Sequence, residues 1–559
     1  MQVLGLTLST TSDGLDLMDG NAALAINGQP VRAIAEERLS RCKYDGGLRR
    51  AIAYCTERIG TLDQVVVSSC CDEVPTAAHA QEVLAREGFD IGVNRITVCT
   101  SHHASHAAAA FFPSPFAKAL VLVADNEGNI LGKRNQPLYF DNPLEKTSLY
   151  LAKDGRLELF RQFHSGAGEL GIGNAYAYFT EYLGFANYQA AGKVMGLAAY
   201  GDRSFLRGCR LFEAGPAGAR CQLEALQNKQ LAVRRFLARH GQIDVGYFGS
   251  ESTEVPGTEQ KNLAAYIQRE VEAELLSIVR DAIVDTGITD VCLGGGVALN
   301  CVANGRILTE TGATGLYVSP APGDSGQALG NVLWLASQDP GGPQARVALT
   351  PYLGRSYASS AYRQALEPHS RDLEVEEVHD SPAAAAADLV LHRIVFWFQG
   401  ASEIGPRALG NRSILANPCS SEIKDILNER VKHREHYRPF APAVLQEHAE
   451  HYFGVKDSPH MHLAVQSRGD LKRTAPGVVH VDGSARLQTV SEDLNPLFYA
   501  LIANFYRATG VPMVINTSFN VRGEPIVESP ADAVRCFVET EGDVLYLGSL
   551  RVTKRSSKQ

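Results

Sequence analysis

The 559-residue chain reads as an α/β protein of two domains. Three observations carry that reading. Short β-branched runs stop at Gly, Asp or Ser; stretches with helical periodicity lie between them; and a Pro/Gly-rich break falls near 340–360 with apolar runs on both sides. In order, the runs at 3–6, 94–100, 119–125 (ALVLVAD), 289–294 and 315–319 predict strands. Leu263, Ile267, Val271, Leu275, Ile278 and Ala282 recur with a period near 3.6 and predict a helix over 262–286. The stretch SQDPGGPQARVALT at 337–350 interrupts both periodicities, so the domains are placed at 1–348 and 349–559. The second has its own strand at 394–398, a helix over about 421–431 and apolar runs at 511–515 and 544–547. PAAAAADLVLH at 382–392 is an alanine-rich helix, and no repeat of 20–50 residues is visible.

Composition narrows the function. With 45% hydrophobic and 21% charged residues the chain is globular, and a formal net charge of −9 excludes broad nonspecific binding to nucleic acid. A local basic pocket for a small anion survives that exclusion, so phosphorylated metabolites stay in play. The eleven cysteines (42, 55, 70, 71, 99, 209, 221, 292, 301, 419 and 536) form no CxxC pair and read as reduced core residues. MQVLGLTLST lacks the form of a signal peptide, and no segment approaches eighteen uninterrupted apolar residues. The expectation is a cytoplasmic enzyme without a membrane or nucleic-acid partner, with a homodimer as the prior for assembly.

Seven stretches carry candidate chemistry. In SHHASHAAAAFF (101–112), His102 and His106 lie four apart and project from one helical face, about 6 Å between Cβ atoms, while His103 points elsewhere. That spacing suits a shared metal or the polar start of a buried alanine helix; with His-Ala-Ser between, there is no glutamate for a zincin. Asp125 ends ALVLVAD and Asp324 sits in PAPGDSGQALG, positions that face a ligand crevice in α/β folds or serve as turn residues. GGGVALNCVANG (294–305) follows a strand and opens a helix, as a phosphate loop or a plain tight turn would. In the second half, EIGPRALGNRSIL (403–415), NERVKHREHYRPFAP (428–442) and NTSFNVRGEP (516–525) supply arginine forks, lysine point charges and Ser/Asn donors suited to a planar carbamoyl-like group and a triphosphate. Each alone could equally be surface. GNILGK (128–133) and GAGELG (166–171) fail as phosphate motifs, lacking loop length and a preceding strand respectively.

Together with FTEYLGF, GKVMGLAAYGD, PGDSGQALG and VESPADA, these stretches stand in family order over nearly the whole chain. With them the sequence resembles the O-carbamoyltransferases of the nodulation-factor and antibiotic-tailoring type. The resemblance implies an N-terminal actin-like ATPase domain, similar to the tRNA threonylcarbamoyl transferase, and a C-terminal YrdC-like domain. It implies that the C-terminal domain makes carbamoyl-adenylate from carbamoyl phosphate and ATP with Mg. The N-terminal domain then passes the carbamoyl group to a hydroxyl of a small acceptor. Carried over by position, it implies His102, His106, Asp125 and Asp324 as ligands of Fe(II) or another divalent metal. Gly294, Gly295, Gly296 and Asn300 would line the nucleotide; Arg407, Lys432, Arg438, Asn516, Ser518 and Arg522 would bind carbamoyl phosphate and ATP, Lys432 and Arg438 also acting catalytically.

Three positions depart from the family pattern. Met18 stands where the family has a histidine that is a candidate base, so Asp19, His164 or the adenylate phosphate must take the acceptor proton. Ala190-Ala191 replace an acidic position before GKVMGLA, and Ala401 replaces an arginine. These leave two alternatives: a relative acting on another acceptor, such as an amine or in tRNA-type threonylcarbamoyl chemistry, or a non-catalytic nucleotide-binding homologue.

Overall fold

The computed structural model describes residues 1–9, 18–70, 74–132, 142–214, 219–241, 256–338, 347 and 349–555. Most of the 337–350 junction and Cys71 lie outside them. The chain divides into two units, Met1–Glu36 with Tyr44–Leu349, and Glu37–Lys43 with Thr350–Gln559. The segment Glu37–Lys43 therefore clusters away from its sequence neighbours.

The first unit holds two five-stranded sheets with one plan. β1 (Gln2–Leu8), β2 (Asn21–Ile26), β3 (Gln29–Ala35), β4 (Gln64–Ser69) and β5 (Ile96–Val98) stand in the order β3-β2-β1-β4-β5. The β1–β2 and β2–β3 pairs are antiparallel, β1–β4 and β4–β5 parallel. The second sheet repeats this with β6 (Lys118–Ala124), β7 (Thr147–Lys153) and β8 (Arg156–Phe163), and, beyond a short ribbon of β9 (Phe212–Glu213) and β10 (Arg220–Cys221), with β11 (Asp290–Gly294) and β12 (Gly315–Val318). Its order is β12-β11-β6-β7-β8, with β6–β7 and β7–β8 antiparallel and β6–β11 and β11–β12 parallel. A three-strand meander extended by two parallel strands, built twice, is the actin-like architecture. The expected strands ending at Asp125 and Gly294 are thus the neighbouring β6 and β11. Central β6 reads KALVLVA because both its faces are covered, whereas edge strand β8 alternates charge with apolar residues.

The helix His102–Phe111 starts where Ser101 Oγ accepts from the Ala104 amide at 2.9 Å. Its alanines let it lie flat against β6: Ala107, Ala110 and Phe111 pack with Val121, Val123 and Tyr150. The helix expected over 262–286 runs Thr258–Thr286 and ends on Gly287 at φ +68°.

In the second unit β13 (Leu373–Glu377), β14 (Val395–Phe398), β15 (Arg412–Ala416), β16 (Ala441–Leu445), β17 (Leu463–Gln466), β18 (Ser484–Val490), β19 (Met513–Ser518), β20 (Val544–Leu547) and β21 (Leu550–Lys554) form one mixed sheet. The order is β13-β21-β20-β14-β15-β19-β16-β18-β17. Trp397, Phe498, Phe505 and Tyr546 centre a core closed by the alanine-rich helix Ser381–Val390 and by Pro496–Thr509. The helix expected over 421–431 is Ile423–Leu427 followed by a π-helical turn, Asn428–Lys432, which delivers Lys432. No helix among the described residues is long and apolar enough to cross a membrane.

Candidate functional site

Four side chains from three separated stretches converge in the first unit. His102 and His106 come from one helical face, Asp125 from the end of β6, and Asp324 from the turn after β12. The two Nε2 atoms face each other at 3.1 Å. His102 Nε2 lies 3.8 Å from Asp125 Oδ2 and 3.3 Å from Asp324 Oδ1, and His106 Nε2 lies 3.3 and 3.1 Å from the same atoms. Ligands bound tetrahedrally at metal distances of about 2.0–2.2 Å stand roughly 3.3–3.6 Å apart. The five contacts above lie near that range and all four ligand atoms fall within 4.8 Å of one another, so the group can hold a divalent cation, and its N and O donors suit several metals.

The surroundings orient these donors. The Ser69 carbonyl lies 3.2 Å from His102 Nδ1, and this contact helps hold the ring with Nε2 toward the other three donors. Gln327, which opens the helix behind Asp324, also touches that Nδ1. Asp125 Oδ1 accepts from the Asn126 amide at 2.7 Å and Oδ2 from the Gly296 amide at 3.0 Å. Burial alone would push both imidazoles down, but the facing carboxylates outweigh it and hold His102 well above its ordinary range and His106 above it. Burial would raise Asp125, and the histidines reverse that, holding its carboxyl well below the usual range. His103 is outside the group: its Nδ1 bonds Ser148 Oγ at 2.7 Å, and burial pushes it down to about 4.

The glycine turn after β11 reaches this centre. Gly295 sits at φ +82°, and a Cβ there would meet the Ala124 carbonyl at 2.3 Å, so only glycine lets β11 turn this closely past β6. Asn300 caps the helix Cys301–Glu310 through the Ala303 amide at 3.1 Å and exchanges two hydrogen bonds with Gln268. The Asp19 backbone is tied to that of Asp324, because Asn21 Nδ2 donates both to the Asp19 carbonyl at 2.6 Å and to the Asp324 carbonyl at 2.9 Å. Met18 Sδ is held by Tyr188 Oη at 3.3 Å and Gln189 Nε2 at 2.7 Å. His164, by contrast, is enclosed by carboxylates. Its Nε2 is 3.2 Å from Glu274 and its Nδ1 is 3.8 Å from Glu169. Burial opposes the charged ring, but those two partners raise it above its ordinary value.

The second unit gathers cations. Lys432 Nζ donates to Ser518 O (2.7 Å), Asn520 O (2.8 Å) and Asn520 Oδ1 (2.7 Å), so it braces the turn that carries Ser518 and Arg522. Burial first, then the neighbouring charges of Arg434 and Arg438, push its ammonium well down. Arg438 in turn feels Arg486 and Arg522, and Arg434 feels Arg438, Arg407 and Arg486. Arg407, Lys432, Arg438, Ser518 and Arg522 are thus brought together, with Arg434 and Arg486 added. Asn516 is structural in its contacts, tying the Ala408 carbonyl at 3.2 Å and Gln488 Oε1 at 2.7 Å. Glu403, unnoticed in the sequence, shapes the arginine loop by accepting on Oε1 from the amides of Leu409, Asn411 and Arg412 at 2.8, 2.7 and 3.1 Å. Arg412 is not part of the cluster's open face; it is fully buried 3.6 Å over the Phe398 ring, bonded to backbone carbonyls.

A doubled sheet of this order defines the actin-like α/β fold class. Within that class the sequence comparisons are specific. The description "Carbamoyltransferase N-terminus" matches residues 82–333 and "Carbamoyltransferase C-terminus" residues 386–554. Nodulation protein NolNO of Sinorhizobium fredii is 35% identical over 96% of this chain and 79% of its own length. Nodulation protein NolO of Bradyrhizobium diazoefficiens is 34% identical over 81% of this chain and 79% of its own, and the uncharacterized protein sll1178 of Synechocystis is 30% identical over 97% and 96%. The chain belongs to the carbamoyltransferase family and is a carbamoyltransferase. Full-length HypF in its phosphate- and nucleotide-bound form overlaps 61% of this chain and 47% of that chain at 13% identity and a TM-score of 0.33, too distant to bear on function.

Proposed function

We propose that the chain is an ATP-dependent O-carbamoyltransferase acting on a hydroxyl of a small molecule. The observation that carries this is the pairing, in one carbamoyltransferase chain, of a four-donor metal-type centre in the first unit with a gathered set of arginines and Lys432 in the second. In the second unit, carbamoyl phosphate and ATP with Mg give carbamoyl-adenylate. Because both phosphate and pyrophosphate leave, one water is consumed: it releases phosphate and carbamate, whose oxygen attacks the α-phosphorus. Arg407, Lys432, Arg438 and Ser518, with Arg434 and Arg486, neutralise the charge that two phosphorylated reactants bring together.

In the first unit the acceptor oxygen attacks the carbamoyl carbon and AMP leaves. A divalent ion held by His102, His106, Asp125 and Asp324 would supply Lewis-acid stabilisation of the departing phosphate. The acceptor proton goes to Asp19, whose backbone Asn21 ties to that of Asp324. His164, buried with its Nε2 engaged by Glu274, is the less available base. Met18, with its thioether gripped by Tyr188 and Gln189, presents an apolar wall where the family has an imidazole, which favours an acceptor with hydrocarbon beside the reacting hydroxyl. The test is incubation with carbamoyl phosphate, ATP and Mg²⁺: pyrophosphate and AMP must appear, and absence of nucleotide turnover refutes the reading.

A further inference from the structure

Asn428 opens the stretch that carries Lys432, Arg434 and Arg438, and it is fully buried. Its carbonyl accepts from the His433 amide, closing the π-helical turn Asn428–Lys432, and from the Arg434 amide at 3.2 Å. Its side-chain oxygen accepts from Arg434 Nε at 2.7 Å, and its side-chain nitrogen donates to the Arg438 carbonyl at 3.4 Å. One buried amide therefore holds both ends of the segment that follows it. The chain leaves the turn through His433 at φ +43°, in the left-handed region that a residue with a Cβ adopts only where its surroundings dictate it. Arg434 completes the hold: a terminal nitrogen donates to the Pro439 carbonyl at 3.3 Å, and its guanidinium carbon lies 4.6 Å from the centre of the Phe440 ring. The charges of Arg434 and Arg438 bear on Lys432, and that of Arg438 on Arg434, so without an anion these cations push one another apart and the segment needs a fixed anchor to stay closed.

We infer that Asn428 is a positioning residue of the anion site: it folds the segment His433–Arg438 back on the π-helical turn, so that Lys432 and Arg438 stand together before a phosphorylated substrate arrives. This rests on the reading of the second unit as the site of carbamoyl phosphate and ATP. A preset site lowers the ordering cost of binding, so loss of the anchor falls on KM rather than kcat. Arg434 contributes its charge from within the anchor, and Arg438 meets the substrate.

The test uses the full-length protein and initial rates of pyrophosphate release against carbamoyl phosphate and against ATP. Asn428→Ala raises, by about tenfold, the same KM that Arg438→Ala raises, with kcat within about twofold of parental. The Asn428→Ala/Arg438→Ala double variant is no worse than the worse single, because the anchor acts through Arg438. Asp388→Asn, which loosens a buried ion cluster elsewhere in the same unit, lowers the melting temperature and leaves both KM values parental, so destabilisation alone does not mimic the effect. If Asn428→Ala does not fold, Asn428→Ser is measured against the same criteria. Parental KM values in the Asn428 variant, multiplicative effects in the double variant, or an equal KM shift in Asp388→Asn overturn the assignment. If the parent releases no pyrophosphate, the functional reading fails first; the anchor is then tested by hydrogen exchange, where the His433–Arg438 amides must exchange about tenfold faster in the Asn428 variant and parental exchange refutes it.

Discussion

Removing His106 separates the two chemistries assigned to the chain. The imidazole supplies one of four converging donors and touches the other three at 3.1, 3.3 and 3.1 Å. Four-ligand sites hold zinc with about 10–16 kcal/mol, so one donor of four is worth roughly 3 kcal/mol, or about two orders of magnitude in affinity. His106→Ala and the better-filling His106→Gln should each weaken Fe²⁺ or Zn²⁺ binding by about that factor in anaerobic equilibrium dialysis with elemental analysis. Transfer of radiolabelled carbamoyl to hydroxylated acceptors should be lost, while pyrophosphate release stays within about twofold of parental, because Lys432 and the arginines are untouched. Melting curves of the metal-free proteins control for the cavity that Ala leaves on a residue only 1% exposed. Metal affinity within threefold of parental would show that these four residues are not a metal centre. Pyrophosphate release falling in step with transfer would show that the two steps are not divided between the units.

Three further outcomes follow from the same geometry. Asp19→Asn should cut carbamoyl transfer by about 10²–10⁴ with pyrophosphate release intact, measured on the same labelled acceptor; equal loss of both steps would remove Asp19 as the base. Arg486→Gln should raise KM for carbamoyl phosphate or ATP about tenfold in the pyrophosphate assay, although no motif in the sequence marks Arg486. Asp388 accepts from both Nε and a terminal nitrogen of Arg551 at 2.9 Å, and from Arg393 at 2.6 Å and Tyr546 at 2.6 Å. Burial would raise its carboxyl, but these donors depress it, so its stabilisation is present above the unfolded pKa near 3.9 and fades as pH falls through the lower folded value. Asp388→Asn should cost about 3 kcal/mol in urea unfolding at neutral pH, and the gap from the parent should narrow below about pH 4; a gap constant with pH would refute the assignment.

What the sequence revealed and what it hid divide along physical lines. The strands, the alanine helices and the placing of Asp125 at a strand end were legible because they rest on local periodicity. His102 and His106 were legible as a pair because the helix repeat sets their spacing. The doubling of the sheet was not, since order and direction repeat while the connections do not: β3 reaches β4 within Ala35–Gln64, but β8 reaches β11 only after Phe163–Asp290. Nor were Asn21, Gln327 and Glu403, which work by bonding groups distant in the chain or buried within their own loop. Arg407 and Arg412 looked equivalent within one motif; only the Phe398 ring and the carbonyls around Arg412 tell the structural arginine from the one facing other cations.

The formal charge of −9 conceals two local fields of opposite sign. Asp125, Asp324 and nearby Asp19 make the histidine centre attractive to a cation and hostile to an unaccompanied phosphate. Arg407, Arg434, Arg438, Arg486, Arg522 and Lys432 make the other cluster attractive to phosphates and strained without them, since each charge depresses its neighbours. Unit charges 4 Å apart interact by about 4 kcal/mol at an effective dielectric constant of 20, so both sets in one cavity would pair with each other rather than with substrates. The chain carries the two sets on different units. On this reasoning, reversing a charge in either cluster should damage its own half-reaction first.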